Sequence, residues 1–338
     1  MYVGLSPFQG SQGTSSTVGP AILSLMYLSL STGIVPFNFK AALIELLPKK
    51  PGLDPALVSN YRPISNLPFQ SKIQERIVAK QIVAYLTRNN LFEPFQSGFR
   101  NFRSTETAVT RVVNDILLAL DTNASLMLVL QDLSAAFNTI DHSILLHRLE
   151  HYVGFEGTAL GWLESYLTDR TQFVLSEGSE SKHCKLRFDV AQGSVLGPLL
   201  LAIYMLPLGD VIRSFVISFH FYADDTQLFI PVEPRNSAPI QKLESCLAAV
   251  NSWMSQNFLQ LNTWKTELII IVSKWDQREF ENVSLWLDGL AIPQSAFVRN
   301  LGVLFDPQLC FDQHVRSITR IAFFHLRNIA KSEQCYLQ

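Results

Sequence analysis

The first 39 residues carry no charged side chain, none of the four cysteines (Cys184, Cys246, Cys310, Cys335) lies in a CxxC pair, and no apolar run is both long and unbroken. Each absence excludes something. Without a basic n-region or a scatter of arginines, the N-terminus has the make-up of neither a secretion signal nor a transit peptide. Widely spaced cysteines offer no zinc knuckle and no disulfide framework, so reduced thiols and an intracellular location, nuclear or cytoplasmic, are expected. The apolar run 21–30 is short and interrupted by serine, and the run 195–212 is broken by Gly197, Pro198 and Pro207. Both read as core, and no membrane partner is expected. No internal repeat is present.

What the chain does have is length and apolar content. At 338 residues, with 48% hydrophobic and 17% charged side chains, it has the composition of a folded protein with a substantial core. Its size fits two domains, or one large unit with an appendage. The net charge of −2 is unevenly spread: residues 40–111 hold eleven Lys or Arg against five Asp or Glu, a surplus of +6 that leaves −8 elsewhere. Such asymmetry suits a protein that holds phosphates with one part and metals with another, and it equally suits an uneven solvated surface.

Along the chain, residues 1–18 form a loose arm rich in Ser, Gly and Gln, and prolines from Pro36 to Pro55 punctuate an extended segment. Ser71 with Gln74 has capping-box spacing ahead of a helix with Ile73, Ile77, Val78, Ile82 and Leu86 on one face. Ser104 is placed to cap a second amphipathic helix whose apolar face is Ala108, Val112, Ile116, Leu117 and Leu120. The run 126–130 has the length and continuity of a strand buried on both faces, ending at Gln131-Asp132. Helices over 144–150 and 160–167 precede a hairpin around 177–181, then an apolar helix with Pro198 in its first turn.

A second hairpin pairs 215–222 with 227–232 across the turn Ala223-Asp224-Asp225-Thr226. Pro239 opens a long helix with Leu243, Leu247, Val250 and Met254 inward. Strands over 268–272 and 301–305, a turn at Asp288-Gly289, and a last helix with Val315, Ile318, Ala322 and Leu326 complete the pattern.

Asp224 and Asp225 interrupt an aromatic and aliphatic run, and two crowded carboxylates call for a cation. Asp132, 92 residues earlier at the end of a buried strand, supplies a third carboxylate if the two strands are neighbours. Two divalent ions held about 3.5–4 Å apart by such oxygens serve in-line phosphoryl displacement in polymerases and nucleases.

Tyr222-Ala223-Asp224-Asp225 resembles the central box of reverse transcriptases, and its surroundings are similar to those of LINE-type, non-LTR retrotransposons. The segments 60–67, 96–100 with 104–107, 132–137 with Asp141-His142, 192–198 and 298–303 occur in that family's order, so the resemblance covers roughly residues 19–330.

The resemblance implies an α+β right-hand polymerase of fingers and palm, with an antiparallel palm sheet and packed helices. It places the reverse transcriptase domain at residues 31–305 and the start of a mostly missing thumb at 311–338. It implies RNA-directed DNA synthesis from an RNA template, a DNA primer and dNTPs, with two Mg2+ ions, or Mn2+, held by Asp132, Asp224 and Asp225. Carried over by position, Phe137 excludes a ribose 2′-hydroxyl, Gln192 and Gly193 flank the incoming nucleotide, Arg62 reaches the triphosphate, and Lys265 protonates or braces pyrophosphate.

Three departures from the family stand out. Asn138 occupies a position that is usually aspartate, Asp189-Val190-Ala191 replaces a glycine, a hydrophobic residue and a proline, and Gln131 replaces an apolar residue. With the short thumb they keep an alternative open: an inactive retrotransposon remnant that at most binds nucleic acid.

Overall fold

A computed structural model describes residues 18–121, 125–133, 136–176, 179–186, 188–272, 280 and 283–336. The arm expected over residues 1–18 lies outside them except for its last residue, as do the hairpin tip at Glu177 and two residues of the segment after Asp132. In chain order the elements are α1 (Val18–Thr32), β1 (Ala41–Pro48), β2 (Tyr61–Asn66), α2 (Phe69–Arg88), α3 (Thr105–Leu120), β3 (Ser125–Gln131), α4 (His142–His151) and α5 (Gly157–Leu167). Four short strands follow, β4 (Thr171–Phe173), β5 (Leu175–Ser176), β6 (Ser179–Glu180) and β7 (Cys184–Lys185). Then come α6 (Gly197–Tyr204), α7 (Leu208–Ser214), β8 (Ser218–Tyr222), β9 (Asp225–Val232), α8 (Ala238–Gln256) and β10 (Glu267–Ile271). Two hairpins, β11 (Ser284–Leu287) with β12 (Leu290–Pro293) and β13 (Val298–Asn300) with β14 (Val303–Phe305), lead to α9 (Asp312–Tyr336).

The chain divides into two compact units, residues up to 91 with 137–204, and 92–136 with 205 onward. The first contains a sheet of order β2-β1-β4-β7, in which β1 runs antiparallel to β2 and parallel to β4. Its helices are tied by Ser29, whose hydroxyl takes hydrogen bonds from Gln74 Nε2 (2.5 Å) and Trp162 Nε1 (3.1 Å) and donates to the Ile34 carbonyl (2.6 Å). Three helices thereby share one buried hydroxyl.

The second unit is built on the antiparallel sheet β10-β3-β9-β8. Leu126 and Leu128 of β3 pack with Val109, Val112 and Ile116 of α3, and with Phe229, Ile269 and Ile271 of the neighbouring strands. All five β3 residues from Leu126 to Leu130 are buried or nearly so, as a strand covered on both faces requires. α8 turns Leu243, Leu247, Val250 and Met254 inward, all fully buried.

Several expectations are corrected. Ser71 and Gln74 do not form a cap: α2 begins at Phe69, and the two side chains are engaged by Glu75 and Ser29. Gln74 is drawn to a tertiary partner, and Ser71 to Glu75 one helical turn on, in place of the cap. The run 21–30 is not all core, because Leu23, Tyr27 and Leu28 of α1 are exposed while Met26 is buried. Phe215 ends α7 rather than opening β8, and Asp225 belongs to β9, paired with Tyr222, leaving Ala223-Asp224 as a two-residue turn. Residues 301–305 are not one strand, since Leu301 and Gly302 take positive φ (+46° and +93°) and form the turn between β13 and β14. The last helix is present as α9, and its apolar residues Val315, Ile318 and Leu326 are exposed. The window Gly197–Ser214 is apolar enough to cross a membrane, but 61% of it is buried in protein and it divides into α6 and α7.

Candidate active site

Strand register brings the carboxylates of the second unit together. β3 and β9 pair antiparallel down to Gln131 opposite Thr226. Asp132 and Asp225 are the next residues outward on the two strands. The β8–β9 turn adds Asp224, and all three side chains are partly exposed. Burial, then the charges of Asp224 and Asp132, push the Asp225 carboxyl up to about 7, with Lys265 opposing. Three carboxylates thus share one field.

Lys265 reaches this group from the loop before β10. The Asn262 N–H donates to the Asp132 carbonyl (2.9 Å), Leu133 bridges to Leu261, and Lys265 Nζ donates to Asp132 Oδ2 (2.5 Å). Lys265 therefore meets the carboxylate group through Asp132. Hard oxygen donors with excess negative charge fit a hard divalent cation. Among the described residues, no three of these side chains converge on a common point as a closed metal site.

The turn itself is held from below by a loop absent from the sequence-level site. Ala223 has φ +58°, in the left-handed region that an alanine adopts at a cost of ~1–2 kcal/mol. Gln96 Oε1 accepts from the N–H groups of Gly98 (2.7 Å) and Ala223 (3.0 Å), and Nε2 donates to the Ala223 carbonyl (3.1 Å). Gly98 is required there, since a Cβ would stand 2.2 Å from the Ala223 nitrogen. Beneath the turn, His220 is buried with Nε2 at 3.0 Å from Ser97 Oγ. Burial, reinforced by Arg111 and Arg103, pushes its pKa down to about 4, so the ring is neutral near pH 7.

The first unit gathers Phe137, Gln192 and Gly193 around β2. The Val190 N–H donates to the Phe137 carbonyl (3.0 Å), and the Ser65 N–H donates to the Gln192 carbonyl (2.7 Å). Gly193 has φ +109°, and a Cβ there would come within 3.0 Å of the Ser65 carbonyl oxygen, so glycine allows the loop to lie against the strand. Arg62 is on β2 opposite Leu47, with its side chain exposed.

A second residue missed at sequence level, Glu75 of α2, steadies the segment after Gly193. Its Oε2 accepts from the N–H groups of Val195 (2.5 Å) and Leu196 (3.4 Å), and its Oε1 accepts from Ser71 Oγ (3.2 Å). Burial raises its pKa, opposed by these donors and by Arg170. Beside the loop is a cavity of about 610 Å3 lined in part by Pro63, Ser65, Asn138, Lys185, Asp189 and Gln192. Asp189 holds φ +103°, and its buried Oδ1 has no hydrogen-bond partner among the described residues. Burial pushes its carboxyl up to about 6 against the pull of Arg170.

The family model for reverse transcriptase (RNA-dependent DNA polymerase) matches residues 47–305. A probable RNA-directed DNA polymerase from transposon BS of Drosophila melanogaster is 28% identical over 324 residues, covering 91% of this chain and 34% of that protein. The RNA-directed DNA polymerase from mobile element jockey of the same species is 28% identical over 88% of this chain and 32% of its own length. The chain thus spans about a third of the length of these curated relatives.

Among solved structures, apo telomerase from Candida tropicalis truncated from its C-terminal domain superposes with a TM-score of 0.57. The identity is 14%, over 88% of this chain and 59% of that one. That likeness is one of fold, and it agrees with the α+β polymerase architecture expected from sequence. With the family match spanning most of the chain and the transposon relatives running along nearly all of it, the chain belongs to the reverse transcriptase family, in its LINE-type, non-LTR branch.

Proposed function

We propose that this chain extends the 3′-hydroxyl of a DNA primer with dNTPs on an RNA template, through a reverse transcriptase domain over residues 31–305. The observation that carries this reading is the register of β3 and β9, which brings Asp132, Asp224 and Asp225 to one end of the sheet, where burial and then its neighbours' charges raise the Asp225 pKa. These carboxylates are the groups that would hold Mg2+ or Mn2+. Bound there, divalent ions supply Lewis acidity toward the attacking hydroxyl and the leaving phosphate oxygen.

The chain's own residues supply position and charge. Lys265, bonded to Asp132, orients that carboxylate and carries the proton suited to a departing pyrophosphate. In the first unit Phe137 is the proposed filter against ribose, Gly193 lets backbone approach a nucleotide, with Gln192 beside it, and Arg62 provides an exposed cationic side chain for phosphate. Magnesium-dependent primer extension on an RNA template tests the reading. The wild-type chain is expected to extend the primer, and Asp224→Asn to lose extension while keeping its far-UV circular dichroism. Undiminished extension by Asp224→Asn would sink the assignment.

A second reading, a remnant that binds nucleic acid without polymerising, draws on Asn138 and on the strained Asp189 near Gln192, whose buried Oδ1 has no hydrogen-bond partner among the described residues. Binding of an RNA–DNA duplex with no extension on RNA or DNA templates would select it.

A further inference from the structure

We infer that Gln96 is the positioning residue of the aspartate turn: its side-chain amide fixes the backbone of Ala223, and through it the placement of Asp224 and Asp225. The inference rests on the polymerase reading above for its consequence in catalysis, while the brace itself stands on hydrogen bonds.

The turn needs such a brace for two physical reasons. Ala223 sits at φ +58°, a conformation that persists in a non-glycine residue only where surrounding structure over-determines it. The adjacent carboxylates of Asp224 and Asp225 also crowd like charge at the turn. Both effects favour relaxation of the turn.

Gln96 answers the backbone of Ala223 on both sides, donating to its carbonyl and accepting from its N–H. A single planar amide is one of the few side chains that can do both. Being neutral, it adds no charge to the carboxylate field. A glutamate in its place would accept but not donate, and would raise the local negative charge.

Gln96 is itself held. It is 3% exposed, and its segment lies alongside the edge strand β8, with Phe221 N–H donating to the Phe95 carbonyl and Ser97 N–H donating to the Phe221 carbonyl, both at 2.9 Å. Arg103 Nη1 donates to the Gln96 carbonyl (2.9 Å) and to the Pro94 carbonyl (3.1 Å). The glycine two residues on admits the Ala223 backbone at a distance no side chain would allow. The loop is therefore a rigid shelf, and Gln96 is its point of attachment to the turn.

The test uses the full chain with Gln96→Met, which keeps the length of the side chain and removes its polar atoms. Two quantities are read: hydrogen exchange at the Ala223 amide, and binding of Mn2+ alone, followed by the paramagnetic resonance signal of the free ion. Loss of Ala223 protection is expected, together with roughly 10–100-fold weaker Mn2+ binding, the range typical when a group supporting metal ligands is removed. In primer extension kcat should fall while the dNTP KM changes by less than about twofold.

Wild-type protection at Ala223 in the variant would overturn the proposal, and so would wild-type Mn2+ affinity. If the wild-type chain binds no Mn2+, the polymerase reading fails, and amide exchange alone then decides whether the brace exists. Should Gln96→Met lose its fold, Gln96→Asn, one methylene too short to join Gly98 and Ala223, is read by the same two measurements with the same outcomes.

Discussion

In the first unit Glu75 reaches from α2 to the N–H groups of Val195 and Leu196, just after Gln192-Gly193. In the second, Gln96 reaches from a loop to the N–H and carbonyl of Ala223, just before Asp224-Asp225. Both are buried polar side chains that fix the backbone of a loop carrying family residues, and they differ in chemistry. The backbone beside Val195 offers donors as it enters α6, and there a carboxyl group that accepts through its oxygens suits the unpaired N–H groups of a helix N-terminus. The backbone at Ala223 offers a donor and an acceptor amid carboxylates, and there a neutral amide is the compatible choice. The chemistry of each brace follows from what its loop must present.

The comparison is broken most forcefully at Glu75. Glu75→Ala removes the acceptor for two main-chain N–H groups in a site that is 1% exposed. Leaving them unsatisfied should cost about 3 kcal/mol, read as a lower urea midpoint with unchanged m-value. Glu75→Gln retains an acceptor and should lose less than half as much. Equal losses in the two variants would mean that side-chain volume, and not acceptance, is what Glu75 contributes.

Gly98→Ala attacks the other brace without touching its hydrogen-bonding atoms. The added Cβ would meet backbone at 2.2 Å, and overpacking of this kind costs about 1–3 kcal/mol. The turn must shift in response, so primer extension should fall more than stability does. A variant with full activity would show that the turn tolerates displacement.

Asp189 offers another contrast within the first unit, because here the backbone is held, by the Ile140 carbonyl on its N–H and by His142 on its carbonyl, while the carboxylate oxygen Oδ1 has no hydrogen-bond partner among the described residues. Asp189→Gly removes both a side chain at φ +103° and a buried carboxylate oxygen without a partner, and a gain of about 1–2 kcal/mol is expected. The gain depends on pH. The folded-state pKa, about 6, lies above the ordinary 3.8, so the folded chain holds this proton more tightly than the unfolded chain does. The group's contribution to stability is fully present below about 3.8 and lost as pH rises through about 6. Glycine should therefore raise Tm more at pH 7.5 than at pH 5, and a gain independent of pH would assign the whole effect to backbone strain.

What could be read from sequence divides along the same line of local against distant partners. Ser104 caps α3 through a reciprocal pair with Thr107, the inward face of α8 follows its spacing, and β3 shows its burial in an unbroken apolar run. Each signal is complete within one segment. The aspartate group was legible because carboxylates in apolar runs are conspicuous, although only the β3–β9 register shows why they meet. Gln96 lies in one of the segments that follow the family's order, but neither its bracing role nor that of Glu75 was legible, since their partners lie 127 and 120 residues away, and nothing local marks a glutamine in a loop as buried. Ser71 and Gln74 failed for a different reason: a good local signal lost to Glu75, one turn along the same helix, and to Ser29, 45 residues away.

The smallest expected effect is at Gln131, which tests whether the strand behind the carboxylates is as well satisfied as the loop beneath them. Gln131 is 3% exposed, and neither its Oε1 nor its Nε2 has a partner among the described residues. Its cross-strand neighbour Thr226 is equally buried, with Oγ1 in the same condition. Two polar side chains thus face each other across β3 and β9 without bonding, one residue inward of Asp132 and Asp225. Replacing one with an apolar residue of similar volume removes a desolvated amide and leaves the ladder intact. Gln131→Leu should therefore stabilise the chain by about 1 kcal/mol, near the lower end of the penalty for a buried unpaired polar group. An unchanged or lower urea midpoint would mean that the amide finds a partner in the folded protein and helps to position Asp132, making it a third brace alongside Gln96 and Glu75.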